Sequence, residues 1–159
     1  MKGMKASALH GLTFGLLLLL AGACNDTDCT VSNTAYVNYG LYNGNGVAVA
    51  FTEPVTVTTT GVDSVLINQE SNMQLMQLPL SYTNTEDTFI VHLSETLFDT
   101  IYVTHQNIPH FISMECGTGM YHHIDAVRCA HRIFDSITIV NPDVTYDTNE
   151  HIKVYLPNN

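Results

Sequence analysis

From about Thr34 to the C-terminus, apolar and polar residues alternate with a period of two, in short β-branched and aromatic runs cut by Gly, Asn, Asp, Ser and Pro. No stretch keeps the 3.6-residue period of an amphipathic helix, so the pattern predicts an all-β domain. Val37, Tyr39 and Leu41 share one face of a first strand, which ends at Asn43-Gly44-Asn45-Gly46, two Asn-Gly pairs suited to positive-φ turn positions. Further strands are predicted at Val47–Phe51, around Val55 and Val57, at Val65–Ile67 and at Met73–Leu80. Later runs put Phe89, Val91 and Leu93 on one face, repeat the pattern at Ile101 and Val103 and at Ile137 and Ile139, and close with Ile152, Val154 and Leu156, where His151, Lys153 and Tyr155 face away. Between Pro109 and Arg132 a strand through Phe111–Cys116, a bend at Gly117-Thr118-Gly119 and a second strand from Met120 are expected. Seven to nine short strands without βαβ alternation point to an antiparallel β-sandwich, immunoglobulin-like or a related Greek key, over 34–159, with a small barrel as the competing architecture.

The residues before this domain follow another rule. Lys2 and Lys5 precede an apolar run, Leu12–Leu20, that is too short to span a bilayer, and small residues then lead to Cys24. This is the layout of a bacterial lipoprotein signal, with 1–23 removed, Cys24 lipidated and 24–33 forming a tether. Several acyl chains, at about 0.8 kcal/mol per buried methylene, hold a protein to a membrane far better than one. A soluble secreted protein and an uncleaved anchor are the alternatives.

Cleavage sharpens the charge. Lys2 and Lys5 leave with the signal, so Arg128, Arg132 and Lys153 face all fifteen acidic residues, a formal charge of −12. Such a surface has no basic stripe for nucleic acid and none for anionic headgroups, which leaves the lipid as the membrane contact. Solubility is the simplest reading of the acidity, ahead of a cation or a basic partner. With Cys24 lipidated, Cys29, Cys116 and Cys129 remain in an oxidising compartment, an odd set that predicts one disulfide and one spare thiol. A Cys29–Cys116 link would staple the tether to the body by closing a long loop, and Cys116–Cys129 is the alternative. No pair is a C-x-x-C. Cys129 lies in Arg128-Cys129-Ala130-His131-Arg132, where positive charge can lower a thiol pKa, although a buried inert cysteine is the plainer reading.

Four strands open alike, at Asp63-Ser64, Asp87-Thr88, Asp99-Thr100 and Asp135-Ser136. Turn chemistry explains this, since Asp and Ser/Thr side chains bond to nearby backbone. The triplets also resemble the O-glycosylation sequon of Bacteroidota, with Ser64, Thr100 and Ser136 as acceptors, whereas Phe89 breaks the pattern at Thr88. The chain carries no Gly-x-Ser-x-Gly, no phosphate loop and no His-Glu-x-x-His. His122 and His123 diverge on a strand, and His105 and His110 around Pro109, with Glu115 or Asp125, lack a fixed third ligand. No transition metal and no cofactor is therefore expected, and Asp143, Asp147 and Glu150 read as a solvated acidic loop. Tyr42 and Tyr155, with polar flanks, are candidates for an interface.

Taken together, Cys29, Val62-Asp63-Ser64-Val65, Leu78-Pro79-Leu80, Thr88-Phe89-Ile90-Val91, Asp99-Thr100-Ile101-Tyr102-Val103-Thr104, Met114-Glu115-Cys116-Gly117, Ile137-Thr138-Ile139-Val140-Asn141 and His151-Ile152-Lys153-Val154-Tyr155 resemble a family of uncharacterised Bacteroidota lipoproteins. The resemblance implies a β-rich envelope lipoprotein of unknown activity with a Cys29–Cys116 bridge, and it supplies no catalytic residues. Cys129 departs from its pattern. Asn25-Asp26-Thr27-Asp28 imperfectly resembles a surface-export signal, which leaves the periplasmic face and the cell surface both open. The resulting expectation is a non-enzymatic, lipid-anchored accessory subunit of an outer-membrane protein assembly, with a glycan- or calcium-binding module as the alternative. A hydrolase built on His105, His110 and Glu115 is the least favoured class.

Overall fold

The computed structural model describes residues 34–61, 64–114 and 116–158. The signal, the tether, Cys24 and Cys29 lie outside these residues, as do Asp63 and Glu115. Ten strands follow one another: β1 Tyr36–Asn43, β2 Val55–Thr59, β3 Ser64–Glu70, β4 Leu75–Pro79, β5 Glu86–His92, β6 Phe98–Ser113, β7 Gly117–Cys129, β8 Ser136–Ile139, β9 Asp143–Val144 and β10 Ile152–Leu156. They form a four-stranded sheet, β4-β1-β10-β8, and a six-stranded sheet, β3-β2-β5-β6-β7-β9, which make a sandwich. Among the described residues no helix is long and apolar enough to cross a membrane.

The inward rows are the ones the alternation predicts. Val37, Tyr39 and Leu41 of β1, Met76 and Leu78 of β4 and Ile152 and Val154 of β10 are buried in one core with Val55, Val57, Phe89, Val91, Ile101 and Val103. Pairing is antiparallel except between β1 and β10, the first and last strands, which run parallel with Tyr39 opposite Ile152. That pair is a departure from two purely antiparallel sheets. A parallel pair needs a long connection, and here nearly the whole chain supplies it.

Three expectations are corrected. Val47–Phe51 is not a strand and makes only single bridges, Ala48 to Tyr42 and Phe51 to Met73. Asn43 Oδ1 accepts from the N–H groups of Asn45 and Val47, so the turn is tight, and the chain then leaves the smaller sheet for β2 in the larger one. His151 does not face away but is fully buried. Its Nδ1 accepts from the Asn38 N–H at 3.1 Å, its own N–H donates to the Asn38 carbonyl, and the Asn38 side chain donates to Asn149, so the preceding loop covers the outer face of β1. Burial lowers the pKa of His151 against the opposing pull of Asp147, which keeps the accepting nitrogen unprotonated.

The third correction concerns β6 and β7. The two strands form one long hairpin whose turn precedes the Gly-Thr-Gly sequence, so that Gly117 is already the first residue of β7, at φ 70°. Gly119 lies inside the ladder opposite His110. Its missing side chain admits the Tyr146 hydroxyl, which sits where a Cβ would be.

Candidate functional site

The core rows of β5, β6 and β7 all turn polar at the same end of the larger sheet. Val91 and Phe89 are followed inward by Asp87, Ile101 and Val103 by His105, and Ile124 by His122. On β7 the inward parity depends on a bulge, because Thr104 pairs with Ala126 but His105 pairs with Ile124, leaving Asp125 as the extra residue. Without it Ile124 and His122 would face out.

Asp87, His105 and His122 are thereby brought together in the interior. His105 Nε2 lies 3.1 Å from Asp87 Oδ2, and the same oxygen accepts from the Ser81 N–H at 2.7 Å. His122 Nδ1 donates to Asn107 Oδ1 at 2.8 Å, its ring meets that of His105 edge-on at 5.2 Å between centroids, and Tyr82 stacks on it from the surface. Burial first, and then the charge of His105, push the His122 imidazole down to about 4, with Asp87 pulling the other way. It is neutral at physiological pH. Burial, with the Asp87 carboxylate adding, pushes the nearby Tyr39 hydroxyl far above its ordinary range. His105 Nδ1, His122 Nε2 and Tyr39 Oη have no hydrogen-bond partner among the described residues. An aspartate–histidine pair can hold and orient a proton, and among the described residues neither imidazole bonds a hydroxyl or thiol through its other nitrogen. The arrangement is a polar plug closing one end of the core.

A second carboxylate organises the opposite end. Asp99 is fully buried at the start of β6. Its Oδ1 accepts from the N–H groups of Thr100 and Ala130, and its Oδ2 from those of Arg132, Ile133 and Phe134, at 2.7–3.1 Å. Burial opposes ionisation, but these backbone donors outweigh it and hold the carboxyl below its usual range. The turn chemistry read from the Asp-Ser/Thr openings is therefore long-range at Asp99, clamping the crossover from β7 to β8.

Beside that crossover lies a groove of about 750 Å³. Val49, Phe51, Leu93, Leu97, Ile133 and Leu156 give it an apolar wall, with Arg132 and Glu53 at its margin. The Arg132 guanidinium rests over the Phe98 ring at 4.7 Å.

The histidines singled out in the sequence do not converge. His110 stacks on Tyr121 at 4.4 Å on the projecting part of the hairpin, away from buried His105, and Asp125 accepts from Gln106. His122 and His123 point to opposite faces, His123 meeting Asp143 at 2.6 Å. No group of three or more His, Cys, Asp or Glu side chains able to hold a metal occurs among the described residues. Asp143 stands in β9, Asp147 accepts from Thr145 and Asn149, and Glu150 accepts from the Tyr42 hydroxyl, so these acids do not gather at one point. Tyr42 and Tyr155 contact each other at 5.9 Å, and Lys153 lies over Tyr42. Ser64, Thr100 and Ser136 are half-buried on three different strands.

Cys129 is a free, buried thiol. Burial raises its pKa, as do the Asp99 and Asp135 charges, and backbone hydrogen bonding opposes them, so the neighbouring arginines do not activate it. Cys116, in the β6–β7 turn, is disulfide-bonded, and the free state of Cys129 excludes a link between those two.

Fold and site together define a two-sheet β-sandwich domain with a polar plug at one end of its core and a carboxylate clamp and groove at the other. The chain belongs to a family of unknown function, DUF6452, which it matches over residues 54–156, from just before β2 to the end of β10. No curated protein and no solved structure matches it.

Sequence reasoning missed Asp87 with His122, and it missed the groove. For the plug a signal was present, because the alternations Asp87-x-Phe89-x-Val91 and Ile101-x-Val103-x-His105 carry the inward parity straight onto the polar residue. The groove draws on four separate stretches of chain and leaves no local pattern.

Proposed function

We propose that this protein is a lipid-anchored component of the cell envelope that acts by binding rather than catalysis, as an accessory subunit of an outer-membrane protein assembly on its periplasmic face or at the cell surface. Cys24 carries the lipid, Cys29 is bridged to Cys116, and no cofactor or metal is required. The observation that carries the binding role is the groove beside the Asp99 clamp. Its apolar wall is the type of surface that takes up a segment of a partner, and Arg132, one of the three Lys and Arg residues that signal cleavage would leave against fifteen acids, marks its edge.

Affinity purification from detergent-solubilised outer membranes tests this. A stoichiometric protein partner is expected with the wild type and should be lost with Leu97→Asp combined with Arg132→Glu, both exposed positions whose change leaves the core intact. A partner-free monomer from wild-type membranes refutes the proposal. Stabilisation of that monomer by calcium or a glycan would instead favour a ligand-binding module.

A further inference from the structure

The β6–β7 hairpin extends past both of its neighbours. β5 follows β6 only to Thr104, and β9 pairs with β7 only at His122 and His123, so 106–113 and 117–121 form a two-stranded projection. Three of its large apolar side chains are exposed. Met114 at the turn is 87% exposed, Phe111 60% and Ile108 45%. Between Gln106 and Tyr121 the only formal charge is Glu115, in a mature chain of formal charge −12. A tip with exposed apolar side chains and a single formal charge, on an acidic domain, is the inverse of what solubility requires.

We propose that this tip is a membrane-contact element, seating Phe111 and Met114 at the boundary between headgroups and acyl chains beside the lipid anchor. The inference rests on the lipid-anchored reading of Cys24. Where the chain enters the domain selects a bilayer over a protein as the occupant. Thr34, the first described residue, pairs with Met120 on the flank of this same hairpin, so the described domain begins beside it. Ten residues separate Cys24 from Thr34, a reach of at most ~36 Å, and with the proposed Cys29–Cys116 bridge the lipidated residue is five residues, ~18 Å, from the turn. The stacked His110 and Tyr121 rings, one step back from the tip, are placed as interfacial aromatics are.

The chain has no tryptophan, so one introduced indole is an unambiguous probe. The lipidated protein carrying Phe111→Trp, Met114→Trp or Val65→Trp is reconstituted into phosphatidylcholine vesicles with plain or brominated acyl chains, and bound protein is collected by flotation. Val65, exposed on the edge strand β3, lies level with Thr100 through the pairing of β3, β2, β5 and β6, roughly 40 Å of strand from the turn, and serves as the control. The expected result is a blue shift and loss of emission in brominated vesicles at 111 and 114, with Val65→Trp unchanged. Unquenched indoles at 111 and 114 on vesicle-bound protein overturn the proposal, as does equal quenching at all three positions. Emission at 111 and 114 that shifts only when solubilised envelope proteins are added also overturns it, in favour of a protein partner. A Cys24→Ala protein that still floats with vesicles while its indoles at 111 and 114 stay unquenched refutes the anchor, a failure distinguishable from that of the tip in the lipidated protein.

Discussion

Replacing Asp99 by Asn keeps the size of the side chain and removes one acceptor oxygen and the charge. In the native chain Oδ2 accepts three backbone N–H groups and Oδ1 two, all from buried or partly buried donors of β6 and the β7–β8 crossover. The best placement of an amide puts its oxygen at the Oδ2 position, retaining Arg132, Ile133 and Phe134 as neutral bonds, and turns its NH2 towards the Thr100 and Ala130 donors. Two charge-assisted bonds, each worth about 1.5–3 kcal/mol, become donor–donor contacts, so Asp99→Asn is expected to cost about 3–6 kcal/mol. For a domain of this length that is a fall of roughly 10–20 °C in Tm. Asp99→Ala, which strips all five bonds and frees the loop that places buried Phe134, is expected to cost at least as much. Thermal and urea denaturation at several pH values provide the check. The carboxyl is held below its ordinary 3.8 in the folded state, so its contribution is complete above that value and is lost as pH falls through the lower folded one. The gap between wild type and Asp99→Asn should therefore narrow in acid. A variant within about 0.5 kcal/mol of wild type at pH 7, or a gap that widens in acid, refutes the clamp.

Further expectations rest on other parts of the structure. The His122 ring protons should titrate near 4 by NMR, and because the unfolded chain takes up that proton first, this residue makes stability fall as pH drops from about 6.5 towards 4; titration near 6.5 would show that the plug is open to water. Native Cys129 should resist alkylation at pH 8 and react only after unfolding, and non-reducing peptide mapping should recover Cys116 joined to Cys29; rapid native labelling of Cys129 would contradict its burial and raised pKa. Gly40→Ala should displace the Glu150 carboxylate that fills the place of a Cβ and break its bond to the Tyr42 hydroxyl, at about 1–2 kcal/mol. In that background Tyr42→Phe should have little further effect, and full additivity of the two changes would refute the coupling.

The strands were legible because their rows face a single core, and a period of two is a local signal. Val37, Tyr39 and Leu41, or Ile152, Val154 and Leu156, need no tertiary knowledge to be placed. His151 was misplaced for the opposite reason. Parity puts it on the outer face, and only the loop folded over β1, ending in Asn149 and Glu150, turns that face into interior. The Val47–Phe51 run has the composition of a strand but lies where the chain changes sheets, and a change of sheet leaves no trace in alternation. Gly117-Thr118-Gly119 carries a local bend signal at both glycines, whereas in the fold Gly117 supplies the positive φ at the start of β7 and Gly119 makes room for Tyr146. The plug depended on one bulge, at Asp125, and a single inserted residue reverses the parity of everything beyond it.

The two proposals constrain each other through β6. This strand is 16 residues long and joins the groove end, where Phe98 packs under Arg132 and Asp99 clamps the crossover, to the hairpin end, where Phe111 and Met114 are bare. A hairpin seated in the bilayer beside the lipid sets the groove some 50 Å of strand away from the headgroups, less whatever the strand's tilt and twist remove. A groove at that height cannot take up lipid from the same bilayer, and its occupant has to come from a protein standing out of the membrane or from solution. The net acidity of the chain fits this arrangement, because repulsion by anionic headgroups is weakest at the hairpin tip, where Glu115 is the single formal charge between Gln106 and Tyr121. Anchor, tip and groove are then parts of one orientation. Measured orientation therefore tests both proposals at once: a hairpin found pointing away from the membrane would remove the tip contact and bring the groove down to the lipid surface.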